Sequence, residues 1–126
     1  MGFGVTEGPW MLKHKGLYYL MYSGNFFATC QYNIGYATSE SPMGPFTKYE
    51  GNPLLCNEET GVVGPGHHSV VENPEGELVM IYHQKGSEAF RLFNSNDNRY
   101  VAMDLIGFNE DGSIWVDVTP LNLGRM

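Results

Sequence analysis

Two halves of this chain run in one register. Glu7, Gly16 and Tyr22 are followed 60 residues later by His67, Gly76 and Tyr82. Each half opens on a Gly-Pro run, Glu7-Gly8-Pro9 and then Gly64-Pro65-Gly66-His67-His68, and continues through alternating apolar residues into a Tyr-bearing strand. Self-similarity at a fixed period is the signature of a repeat architecture. An acid and a histidine at equivalent positions of two repeats point to a site built where the repeats converge.

The pattern inside each half is that of strands. The first half predicts strands over 9–13, 17–23, 33–39 and 46–49, separated by His14-Lys15-Gly16, a polar and aromatic loop over 24–32, and Ser41-Pro42-Met43-Gly44-Pro45. The second predicts strands over 67–72, 77–83, 100–108 and 113–116, with turns at Asn73-Pro74-Glu75-Gly76 and Asn109-Glu110-Asp111-Gly112. No window holds an apolar 3.6-residue period with caps, so no helix is predicted. Two four-stranded antiparallel units, about 5–53 and about 62–118, read as blades of a β-propeller; one eight-stranded sandwich is the alternative. Two blades cannot close a ring, so residues 1–126 read as a partial propeller domain whose open edges and faces seek the missing blades or self-association.

Charge and cysteine usage exclude more than they identify. A net charge of −7 with only seven basic residues argues against nucleic acid, which needs clustered Lys and Arg. No apolar run is long enough to span a bilayer, and residues 1–6 show no signal peptide, so no membrane partner is expected and localisation is left open. Cys30 and Cys56 are too few for a disulfide framework and read as free thiols. The 13% aromatic share suits strands, sugar-stacking surfaces, or both. Adjacent strand residues diverge, which makes His67-His68 a poor zinc site.

In this order, Thr6-Glu7-Gly8-Pro9-Trp10, Tyr18-Tyr19-Leu20-Met21-Tyr22-Ser23 and Ile34-Gly35-Tyr36-Ala37-Thr38-Ser39 resemble glycoside hydrolase family 43. Ser41-Pro42-Met43-Gly44-Pro45-Phe46, Gly51-Asn52-Pro53-Leu54-Leu55, Gly64-Pro65-Gly66-His67-His68-Ser69 and Met103-Asp104 extend the resemblance over nearly the whole chain. It implies an all-β, five-bladed propeller of antiparallel four-stranded blades, of which this chain holds the third and fourth. It also implies inverting hydrolysis of glycosidic bonds in arabinose- or xylose-containing polysaccharides, the carbohydrate being the partner. A non-catalytic carbohydrate-binding or assembly module is the alternative.

Breaking a glycosidic bond needs a protonated carboxyl near the leaving oxygen and a second carboxylate to activate water. By resemblance Glu7 is that general acid. His67 becomes the axial histidine, and His68 a structural one on the opposite face. Asn25, Phe26 and Phe27 are expected to line the sugar pocket, and Arg99, with Arg91, to reach a sugar hydroxyl. No cofactor is required, although the resemblance allows a calcium ion on the propeller axis that His67 touches through water. Trp10, Tyr19 and Trp115 are expected in the core between blades, and Asp104, Glu110 and Asp111 in turns and solvated faces. The family's two further aspartates have no counterpart in this sequence, so the acid stands here without its base.

Overall fold

The structure, a computed structural model, describes residues 5–25, 32–55, 62–85 and 99–118. Eight strands fill them: β1 (Val5–His14), β2 (Leu17–Asn25), β3 (Asn33–Ser39), β4 (Thr47–Lys48), β5 (Val63–Glu72), β6 (Leu78–Lys85), β7 (Arg99–Phe108) and β8 (Ile114–Val116). They form two antiparallel four-stranded sheets in sequential order, β1-β2-β3-β4 and β5-β6-β7-β8. These are propeller blades, and the described residues contain no helix. Phe26, Phe27, Cys30, Cys56 and Arg91 lie outside the described residues.

Turn chemistry sets each hairpin. Lys15 and Gly16 both take positive φ, 49° and 82°, which a two-residue type I′ connection requires. In the second sheet the Asn73 side chain accepts from the N–H groups of Glu75 and Glu77, and Gly76 takes φ 83°. Asp111 works the same way in the β7–β8 turn, accepting from the Ser113 N–H at 2.9 Å.

The first strands begin earlier than the Gly-Pro runs suggest, at Val5 and Val63 rather than at 9 and 67. Those runs lie inside the strands as bulges: the β1–β2 register shifts between Glu7 and Trp10, and the β5–β6 register shifts on both sides of Gly66. A bulge lets proline sit in a strand without breaking a ladder bond. It also corrects the repeat. Glu7 pairs with Ser23 and Gly66 pairs with His83, while Ser23 and His83 keep the 60-residue spacing. The structural counterpart of Glu7 is therefore Gly66, and that of Gly8 is His67. Gly8 and His67 share the left-handed backbone, at φ 62° and 50°. The second blade's longer hairpin turn absorbs the extra residue.

The sheets pack face to face. Tyr19, Met21, Ile34 and Tyr36 from the first meet Val70, Met80, Tyr82, Ala102, Ile106 and Ile114 from the second in one buried cluster. Hydrogen bonds cross the seam, among them Tyr19 Oη to Gly112 O at 2.6 Å, Ile114 N to Tyr36 Oη at 3.2 Å and His67 N to Ser23 Oγ at 2.7 Å. Trp10 packs against this cluster, as expected, but Trp115 does not join it. The Trp115 ring lies over Gly107 on the outer face, where a Cβ on Gly107 would come within 2.4 Å of it. Asp104 is also corrected: period-two alternation in β7 turns it inward, and it is buried, accepting from Tyr82 Oη at 2.6 Å. Glu110 and Asp111 occupy the exposed turn.

Tyr19→Phe removes a cross-sheet bond without changing shape, so it should cost about 1 kcal/mol in urea unfolding. An unchanged midpoint and slope would mean that the β7–β8 turn does not hold the two sheets together.

Candidate active site at the seam of the two blades

Glu7 stands on the bulged inner strand of the first blade, half-buried, beside the equivalent strand of the second. Gly8 lies against His67 at this approach and takes the left-handed backbone, φ 62°, that favours glycine. Together Glu7, Tyr32, His67, His83 and Arg99 line an open cleft of about 250 Å³. The structure thus brings together three residues singled out in the sequence, Glu7, His67 and Arg99. Asn25 falls elsewhere. It ends β2 at φ 69° and lines a second cleft of about 340 Å³ with Thr6, Tyr22, Asn33 and Asn52.

Tyr32 and His83 are the members that sequence reasoning missed. Tyr32 is fully buried and donates its hydroxyl to Glu7 Oε1 at 2.8 Å. Its ring stacks on His83 with centroids 5.5 Å apart and planes 4° from parallel. The ring also fills the space above Gly66, where a Cβ would sit 1.9 Å from Cε2. Burial first, and then the hydrogen bond to Glu7, push the Tyr32 hydroxyl well above the usual tyrosine range, so it remains a donor. Ser23 and His83 carried a usable signal, because they occupy matching places of the repeat; Tyr32, at the end of a loop, carried none.

The two adjacent histidines part company as strand alternation requires. His67 is exposed at the cleft. His68 is buried, and neither ring nitrogen has a hydrogen-bond partner among the described residues. Burial, reinforced by the positive charge of His67, lowers its pKa to about 4; burial does the same to His83, with Arg99, Lys85 and His67 adding to it. Both rings are neutral at pH 7. Among the described residues no group of three or more His, Cys, Asp or Glu could hold a metal ion. No helix among them is long and apolar enough to cross a membrane.

Comparison with known proteins places this geometry. The model of glycosyl hydrolases family 43 matches residues 1–114, and the chain belongs to that family. It is 32% identical to a β-D-galactofuranosidase of Aspergillus niger over 95% of this chain and 33% of that one. It is 38% identical to an arabinoxylan arabinofuranohydrolase of Paenibacillus polymyxa over 87% of this chain and 18% of that one. Among solved structures it is similar to a thermostable family-43 glycoside hydrolase, with TM-score 0.81 and 39% identity over 93% of this chain and 36% of that one. An endo-1,4-β-xylanase of Bacteroides thetaiotaomicron superposes with TM-score 0.79 and 37% identity, over 91% and 38%. The chain spans about a third or less of the length of these relatives.

The buried histidines set the acid response. Their folded pKa lies below the unfolded value of about 6.5, so the unfolded chain binds more protons between pH 6.5 and 4. Stability should be full above pH 6.5 and fall as pH drops through that window, with His68 accounting for up to about 3 kcal/mol. In unfolding measured against pH, His68→Leu should flatten the slope. A slope identical to the parent's would mean that His68 is not held neutral.

Proposed function

We propose that this chain carries the general acid of an inverting glycoside hydrolase acting on arabinose- or xylose-containing polysaccharides or oligosaccharides, and that Glu7 is that acid. The observation that carries the reading is the placement of the Glu7 carboxyl in an open cleft between two blades, one oxygen held by Tyr32. Membership of family 43 and likeness to an arabinoxylan arabinofuranohydrolase and an endo-1,4-β-xylanase support the chemistry and the sugar class.

In this reading Glu7 gives its proton to the glycosidic oxygen as the bond from that oxygen to the anomeric carbon breaks. Water adds to the opposite face of the sugar, and a carboxylate base takes its proton. In this reading the base belongs to blades other than these two: among the described residues Asp104, Asp111 and Asp117 stand on the second sheet or just beyond it, and none lines the Glu7 cleft, while Asp97 lies outside the described residues. Arg99 and His67, both exposed at the cleft, are placed to bind sugar hydroxyls. The mechanism needs no cofactor.

The open outer faces bear on assembly. Val71, Val101, Met103 and Trp115 are exposed on the second sheet, and Met11 on the first. Remaining blades of the ring would cover them; without those blades the chain is expected to self-associate. A monodisperse monomer in sedimentation velocity would contradict that.

The role of Glu7 is tested by leaving-group dependence in the intact enzyme. Glu7→Gln should lower kcat by about 10²–10⁴-fold on alkyl arabinofuranosides or xylosides. It should lower it far less on dinitrophenyl glycosides, whose leaving group departs without a proton. Equal losses on both would remove Glu7 from the acid role. The chain alone should release no nitrophenol from aryl glycosides; turnover that depends on Glu7 would show that the two blades already hold a base.

A further inference from the structure

Polar contacts behind Glu7 form a relay across the blade seam. The His67 N–H donates to Ser23 Oγ at 2.7 Å. The Ser23 side chain also lies within hydrogen-bonding reach of the Tyr32 hydroxyl. Tyr32 Oη then donates to Glu7 Oε1 at 2.8 Å. Ser23 and Tyr32 are both fully buried, so neither has water as an alternative partner. A tyrosine hydroxyl has one proton to give. In this structure that proton is directed at Glu7 Oε1.

The Tyr32 ring cannot turn away. Gly66 lies against one side of it, and His83 stacks on it in nearly parallel planes. The anchor of the relay is the backbone N–H of His67, whose left-handed conformation is set by the bulge and not by the histidine ring. The second blade therefore determines where the first blade's carboxyl points.

We propose that Tyr32 is a positioning residue for the reaction: it occupies Oε1 of Glu7, so that the transferable proton resides on Oε2, and it receives the carboxylate formed when that proton leaves. This rests on the reading of Glu7 as the acid. The step balances. The proton passes from Oε2 to the glycosidic oxygen, the carbon–oxygen bond breaks with its electron pair on that oxygen, and the Oε2–H pair remains as carboxylate charge. The Tyr32 bond then becomes charge-assisted and strengthens as the reaction proceeds, which stabilises the transition state more than the ground state. The other groups facing the carboxyl across the cleft are His67, His83 and Arg99.

The test has two arms. In the chain itself, proton NMR should show a slowly exchanging, downfield Tyr32 hydroxyl signal that is absent in Tyr32→Phe and moves upfield in Glu7→Gln. A signal indifferent to Glu7→Gln would overturn the contact. In the intact enzyme, Tyr32→Phe should lower kcat about tenfold on alkyl glycosides with KM unchanged, and much less on dinitrophenyl glycosides. Ser23→Ala should show the same pattern more weakly, and it carries the test if Tyr32→Phe unfolds. Losses equal for both leaving groups, or no loss, would overturn the positioning role. If Glu7→Gln itself shows no leaving-group dependence, the acid reading fails, while the hydroxyl signal still reports the contact.

Discussion

One close approach organises the site: the Tyr32 ring lies on Gly66, in a space that no side chain on that strand could share. From there the ring reaches Glu7 with its hydroxyl and His83 with its face. Gly66 belongs to the second blade and Tyr32 to the first, so the glycine is what allows the inner strands of the two blades to meet. Without it the ring would be displaced, and the polar relay behind the carboxyl would be broken.

The bulges explain why a repeat can diverge in function while keeping its frame. Both first strands carry an irregularity at the same place, and both use one left-handed residue there. On the first blade the residue before it is Glu7; on the second it is Gly66. One repeat contributes the acid, and the other contributes the space and the backbone donor that hold it. An acid on both strands would put two carboxyls against each other and leave no room for Tyr32.

Much of the fold was legible in the chain because its signals are local. Alternating strands, the Asp-Gly and Gly-bearing turns, and the ordered family motifs fixed four strands per half. What escaped depended on pairing between strands. A hairpin turn one residue longer in the second blade is invisible in a constant 60-residue spacing, so His67 looked equivalent to Glu7 when its counterpart is Gly8. Asp104 looked like a solvated acid because its buried partner, Tyr82, lies on a neighbouring strand. At the site, Glu7, His67 and Arg99 were found from residue type and resemblance. Tyr32 could emerge only once the strands were paired and the loop end was placed over Gly66, whereas His83 could have been found from its place in the repeat, matching that of Ser23.

The account places the chemistry at one carboxyl whose orientation is set from the neighbouring blade. A crystal structure of the intact enzyme with an unhydrolysed arabinose- or xylose-containing substrate tests that most directly. The account predicts the glycosidic oxygen within about 2.6–3.2 Å of Glu7 Oε2, with Oε1 still held by Tyr32. A sugar seated elsewhere, with the Glu7 carboxyl untouched or turned away from Tyr32, would contradict it.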